Sequence, residues 1–379
     1  MVAKLVLLAL SVSTQVSNIL SVRSGVGGIR GNYERERDTT DKFLLCYFIH
    51  NGQDGLHIAL SDDGFKFDTI PGDHSFFKPE AIGEQQLFRD PSIVQTPDRT
   101  FHLVWTTGWT DRTIGYATSK NLVNWENARA LAVFGKDVRV RNVWAPDISY
   151  NSTSNRLVVV WSSTLTGQFS ETMASSENGL NHRLYYTSWD PGNLDNTIQP
   201  AAVFFDPGFN VIDGNLLQIG ERQVLFFKDE RRWPPMKTLH MARSSIEYPG
   251  PTDWKSGPPL IAGPFWAEGP SAILVNSNQS ALVYFEKYAE VKSSGDDEEN
   301  IAWINQLGTQ WGVVFVKDVA KLQKSTGSDI HWIDLSKRLK MPPGARHGQI
   351  IRITHQAAEE VTKAAAIEVT LRKTEELEL

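Results

Sequence analysis

The chain has 379 residues, 41% hydrophobic and 22% charged, so it can bury a large core and lacks the bias of a disordered segment. A net charge of −6 with no basic block argues against nucleic acid as a partner. The single cysteine, Cys46, excludes an intrachain disulfide and any cysteine-built metal site, and within FLLCYFI it reads as a small buried hydrophobe.

Residues 1–20 have the form of a secretory signal, with Lys4, the apolar run LVLLALSV and small residues for cleavage. That run is far below the roughly 20 residues that span a bilayer, so no membrane anchor is expected and the protein reads as extracellular. The sequons at Asn151 and Asn278 suit that setting if they lie on exposed turns. Residues 21–41 read as a flexible leader and 42–355 as the folded body. Residues 356–379 form a charged tail in which Glu359 with Lys363, and Glu368 with Arg372, have helical spacing.

The body shows a repeat of variable period. Aromatic, β-branched runs recur as TFHLVWTTGW, RLVVVWSST, QVLFFKDE and SALVYFEKY. A further strand follows each, as RTIGYATS, HRLYYTSW, KTLHMARS and WGVVFVKD. Trp125 and Trp254 end polar turns, and with Trp332 they read as packing between units. The segment AEVKSSGDDEEN, 289–300, reads as a long loop.

Five strands open on an ionisable group beside proline or glycine, four of them each ahead of one of these units. These strands are LFRDPSIV with Asp90, WAPDISY with Asp147, VIDGNLLQI with Asp213, AEGPSAILV with Glu268 and RHGQIIRI with His347. The first unit lacks such a strand and RHGQIIRI has no unit after it, so the last strand is expected to complete the first sheet. The expected fold is an all-β five-bladed propeller, with those five groups converging on its axis. Carboxylates gathered there raise one another's pKa, so one can hold a proton while another stays ionised. That division suits glycosidic cleavage. Trp109, Trp144 and Trp266 stand near the strand mouths and are candidates for stacking on sugar rings. Arg346 is a candidate for a sugar hydroxyl or a carboxylate. His57, His102, His240 and His331 lie in strand-like runs at no metal-binding spacing and read as structural.

FRDPSIV, WAPD, VIDGN and AEGPSAI, in this order, resemble glycoside hydrolase family 43, over about Phe43 to Ile353. The resemblance implies an inverting glycosidase with Asp90 as general base, Glu268 as general acid, and Asp213 positioning the acid and tuning its pKa. Asp147 lies in a motif the family shares and is assigned to substrate binding, without proton transfer. The expected substrate is a plant or algal carbohydrate carrying arabinofuranosyl or xylosyl units, acted on by a single subunit with no required cofactor. The resemblance also raises a structural calcium on the axis, which His347 would hold through water; the other reading is a histidine hydrogen-bonded to the carboxylates. Related propeller glycosidases that act on galactan or anhydrogalactose, the latter with a histidine acid, and a silent glycan-binding propeller are the alternatives. Glu268 is followed by Gly269 and not Cys, which separates the chain from the fructosidase relatives.

Overall fold

The computed structural model describes residues 41–70, 75–175, 179–231, 237–244, 250–260, 265–291, 303–325 and 329–378. The expected signal and nearly all of the leader lie outside them, as does most of the loop expected at 289–300.

Five antiparallel sheets of four strands make up the body. The first contains β1 (Asp41–Phe48), β2 (His57–Ser61) and β3 (Asp68–Thr69). The second is β4 (Arg89–Gln95), β5 (Phe101–Thr106), β6 (Ile114–Ser119) and β7 (Trp125–Leu131). The third is β8 (Trp144–Asn151), β9 (Arg156–Ser163), β10 (Arg183–Trp189) and β11 (Ala202–Phe205). The fourth is β12 (Val211–Ile219), β13 (Arg222–Asp229), β14 (Leu239–Arg243) and β15 (Lys255–Pro259). The fifth is β16 (Phe265–Val275), β17 (Ser280–Val291), β18 (Trp303–Val316) and β19 (Ile333–Asp334), so Ala289–Val291 extend a strand and do not begin a loop. β20 (Arg346–Thr354) lies beside β1, with Leu44 opposite Ile351. The inner strands β20, β4, β8, β12 and β16 touch one another in a closed ring, so the fold is a five-bladed propeller.

The second strand of each blade is covered on both faces, so it reads as an unbroken apolar run and its alternate side chains enter different interfaces. In β5, Leu103 and Trp105 pack toward the first blade while Val104 packs toward the third. In β13, Leu225 and Phe227 face the third blade and Phe226 faces the fifth. Trp254 fills the boundary of the third and fourth blades beside Phe204 and Phe205, and Trp332 meets Phe226 edge-on across the next. Trp125 stacks on Phe77 at 5.6 Å and packs against the cluster shared by the first two blades. Cys46 is fully buried in β1, and burial pushes its thiol up to about 12, so it stays an inert hydrophobe. The tail forms the helix His355–Glu378, which begins with Thr354 accepting the Ala357 N–H and buries Ala357, Ala358, Val361 and Ala365 on the first two blades. Asn151 opens a turn and Asn278 is exposed in another.

Every inner strand carries the same irregularity. Its register with the second strand slips at Arg89/Ser92, Trp144/Asp147, Ile212/Asn215 and Glu268/Ser271, and in β20 between Arg346 and Gln349. Three steps on the inner strand oppose two on its partner, which is a β-bulge. The bulge residues Asp90, Ala145, Asp213 and Gly269 have φ of 50°, 46°, 55° and 60°. Each is followed by proline or glycine, as His347 is by Gly348. A proline interrupts no ladder hydrogen bond there, so Pro91 sits inside β4 at the bulge and not at the strand's first residue.

The bulges arrange the axis in three tiers. Arg89, Trp144, Ile212, Glu268 and Arg346 form the upper one, Asp90, Ala145, Asp213, Gly269 and His347 the middle, and Ser92, Asp147, Asn215, Ser271 and Gln349 the lower. The five groups expected at one shared position therefore occupy three. Asp147 lies two residues beyond the equivalent of Asp90, which is Ala145, and Glu268 lies one before its own bulge residue.

The lower tier closes the axis. Ser92 Oγ accepts the Ile148 N–H at 2.9 Å, Asp147 Oδ2 that of Leu216 at 3.0 Å, and Asn215 Oδ1 that of Ala272 at 2.9 Å. Ser271 Oγ accepts from Ile350 at 2.8 Å and Gln349 Oε1 from Ile93 at 2.6 Å, which completes the circle. An inner strand is an edge, and these side chains supply the acceptors that a further strand would have offered. Ser271→Ala strands one buried N–H and should cost about 1–3 kcal/mol in urea unfolding. A loss below about 0.5 kcal/mol would show that the clasp is not a source of stability.

Candidate active site

The middle and upper tiers, with the ends of the second strands, form one charged site. The second-strand residues opposite the upper tier are Thr106, Ser162, Lys228, Glu286 and Phe48. Asp90 Oδ2 accepts the Thr106 hydroxyl at 2.8 Å, and its Oδ1 is 3.2 Å from His347 Nδ1. Burial alone would raise this carboxyl, but the His347 charge and hydrogen bond, with Arg89 and Thr106, outweigh it and hold Asp90 at about 2. Burial likewise opposes charge on His347, yet Asp90, Asp213 and Glu268 lift it to about 9, so it is an imidazolium at neutral pH. Its ring lies over Gly269, where a Cβ would come within 2.6 Å of Cδ2, so that position takes only glycine.

Asp213 Oδ2 accepts the Gly269 N–H at 3.1 Å, which ties it to the backbone directly after Glu268. Burial, with some help from Glu268 and Asp90, raises its carboxyl to about 6 against the pull of His347 and Lys228. Glu268 Oε2 accepts from Lys228 Nζ at 3.0 Å, and Oε1 is 3.7 Å from Arg346 Nη2. Lys228 also pairs with Glu230, and Glu230 with Lys237. Arg346 Nε lies 3.4 Å from Glu286 Oε1, while Glu286 Oε2 accepts the His347 N–H at 2.9 Å. Burial and the neighbouring Glu268 raise the Glu286 carboxyl. Alternating charges thus run from Lys237 through Glu230, Lys228, Glu268 and Arg346 to Glu286.

The structure brings Asp90, Asp213, Glu268, Arg346 and His347 together from the upper and middle tiers, and Trp109 and Trp144 meet edge to face at 5.8 Å beside them. Trp109 is 45% exposed. Two expectations need correction. Asp147 is buried with both oxygens committed to the clasp, from Leu216, Asn215, Gln349 and Ser92, so it binds the axis and not a substrate. Trp266 is only 9% exposed, packed against Tyr288 and Lys237, and presents no free platform. Sequence reasoning missed Arg89, Lys228 and Glu286. Of the remaining histidines, His57 pairs with Asp54, His102 with Tyr116 and His240 with the Gly257 carbonyl, while His331 is exposed outside any strand.

Calcium takes six to eight oxygen ligands at about 2.3–2.6 Å. The axial cavity between the middle and lower tiers has about 20 Å³, room for one water, and is lined by Asp90, Asp147, Asp213 and His347. Asp147 has given its oxygens to N–H and O–H donors, Asp213 receives the Gly269 N–H, and His347 adds a positive charge. These residues offer too few free oxygens for a directly ligated calcium ion, and His347 Nδ1 is engaged with Asp90.

His347 is raised from 6.5 to about 9, so its stabilisation is complete below pH 6.5 and is lost as pH rises through 9. The wild type should lose roughly 3 kcal/mol over that window, read as a falling unfolding midpoint, while His347→Gln should lack this fall. Parallel alkaline profiles for the two proteins would refute the charged assignment.

A family model described as "Probable glycosyl hydrolase domain", related to glycoside hydrolase family 43, matches residues 38–359. No curated protein matches the chain. Similar solved structures include an α-L-arabinofuranosidase from Lactobacillus brevis at 15% identity, covering 69% of this chain and 75% of that one with a TM-score of 0.46. The catalytic domain of a family-62 α-L-arabinofuranosidase from Coprinopsis cinerea is similar at 13% identity, with 72% and 74% covered and a TM-score of 0.46. An exo-β-1,3-galactanase from Clostridium thermocellum is similar at 16% identity, with 64% and 48% covered and a TM-score of 0.41. On the span of the family match, this chain belongs to the glycosyl hydrolase family related to glycoside hydrolase family 43.

Proposed function

We propose that the protein is an inverting glycosidase, acting outside the cell as a single subunit and releasing arabinofuranosyl or xylosyl units from plant polysaccharides or oligosaccharides. The observation that carries this reading is the pairing of unlike carboxylates in one site: Asp90 is held ionised at about 2 by His347, whereas Asp213, bonded beside Glu268, is raised to about 6. In this mechanism Asp90 takes a proton from water as that water attacks the anomeric carbon. Glu268 gives a proton to the leaving oxygen. Its Oε2 is occupied by Lys228, which leaves Oε1 for the donation. Lys228 and Arg346 then stabilise the carboxylate that donation leaves behind. Asp213 keeps the Glu268 strand in place through the Gly269 N–H.

A second reading gives the acid role to His347, as in relatives acting on anhydrogalactose. It is favoured by one feature: His347 is charged, its Nδ1 faces Asp90, and its Nε2 has no hydrogen bond among the described residues.

Leaving-group dependence separates the roles. A general acid matters most when the leaving oxygen is strongly basic. Glu268→Ala should therefore nearly abolish cleavage of natural glycosides yet keep much more activity on a dinitrophenyl glycoside, while Asp90→Ala should be equally damaging on both. If Asp90→Ala is the variant rescued, base and acid are exchanged; if His347→Gln is rescued and Glu268→Ala is not, the second reading holds. Activity that survives all three substitutions would place the chemistry elsewhere.

A further inference from the structure

Arg89 stands apart from every other buried cation. Among the described residues, four lysines and arginines are buried: Arg89, Arg183, Lys228 and Lys237. Arg183 pairs with Asp206, Lys228 with Glu230 and Glu268, and Lys237 with Glu230. Arg89, only 7% exposed, pairs with no carboxylate among the described residues. Its sequence neighbour Asp90 has turned its oxygens to His347 and Thr106. Buried charges are ordinarily paired, because an isolated ion away from water is costly.

The guanidinium is nonetheless held firmly. Its carbon lies 4.7 Å from the centre of the Phe48 ring and 4.2 Å from that of Trp109. Nη1 donates to Asn51 Oδ1 at 2.8 Å, and the same oxygen accepts from Trp109 Nε1 at 3.2 Å, so Asn51 fixes both. With rings over it, the group keeps only its in-plane N–H donors for a partner. Arg346, its equivalent in the adjoining blade, lies 5.5 Å from the same Phe48 ring but is answered by Glu268 and Glu286.

We propose that Arg89 docks an anionic substituent of the substrate, so that the glycan bears a carboxylate, as a uronic acid does, beside the bond that is cleaved. The proposal rests on the glycosidase reading of the same site. Asp90 attracts the Arg89 charge without contacting the guanidinium; neutral hydroxyls would fill the free donors without adding a contacting charge, whereas a carboxylate meets a guanidinium edge with two parallel hydrogen bonds. A sulfate ester presents similar oxygens. Trp109, 45% exposed beside the guanidinium, is the aromatic group against which the sugar that carries the anion would pack.

The test is direct binding to the full chain, read by tryptophan fluorescence, which needs no turnover. Galacturonate and glucuronate are compared with galactose and glucose, and galactose 6-sulfate is added. The acidic sugars should bind at least about tenfold tighter than the neutral ones, and the preference should shrink as salt rises. It should fall to about unity in Arg89→Met and Arg89→Gln, and recover in part in Arg89→Lys. Preference for the sulfated sugar over the uronates would assign the anion to a sulfate ester. Equal binding of acidic and neutral sugars by the wild type overturns the proposal, as does a preference that persists in either folded neutral variant. Loss of all glycosidase activity with the preference intact would remove the hydrolase reading and leave the anion site. Hydrolysis without the preference would do the reverse.

Discussion

Five backbone N–H groups, on Ile93, Ile148, Leu216, Ala272 and Ile350, need acceptors on an axis where no further strand can provide them. The lower tier supplies one acceptor to each, always from the neighbouring blade, so the hydrogen bonds run around the channel in a single direction. Asp147 is the hub: its Oδ1 faces Ser92, Asn215 and Gln349 at 3.2, 3.0 and 3.1 Å. Burial raises its carboxyl to about 6 against these bonds, so at neutral pH it remains a full acceptor. Acceptor side chains at one register position tie each inner strand to the next.

The chemistry is built directly on that spacing. Because each inner strand bulges just above the clasp, the bulge residues point their side chains into the channel, and positive φ is accepted there by Asp90, Ala145 and Asp213. Asp90 and Asp213 then share His347 as the central cation. The tier above brings Glu268 between Lys228 and Arg346. Opposite charges alternate outward from the axis, which lets a small volume hold several carboxylates without collapse of the site through repulsion. Arg89 breaks this alternation, at the mouth where Trp109 opens to solvent.

The propeller was legible in the sequence because a strand buried on both faces is almost wholly apolar: FLLCYF, FHLVWT, LVVVW, VLFF and LVYF announce the second strands of the five blades. Asp90, Asp213 and Glu268 were legible through their motifs. Their alignment was not, since reading down the acids places Asp147 beside Asp90 when the residue that repeats is the following Pro91, Pro146, Gly214, Pro270 or Gly348. Counting from those residues recovers all three tiers and turns Ser92, Asp147, Asn215, Ser271 and Gln349 into one set. Lys228 and Glu286 were missed because each ends an apolar run, as in VLFFK and LVYFE, and a charge there gains meaning only when it faces the next inner strand. Arg89 and Arg346 precede Asp90 and His347 in the same register, a symmetry visible only once the bulges are known.

The account depends most on Asp90 activating water instead of attacking the sugar itself, since a carboxylate held ionised by His347 and Thr106 could do either. The anomeric configuration of the first-formed product decides between them. Hydrolysis of the best aryl glycoside, followed by proton NMR before mutarotation, should show inversion. A product that keeps the substrate's configuration would make Asp90 a nucleophile and contradict the account.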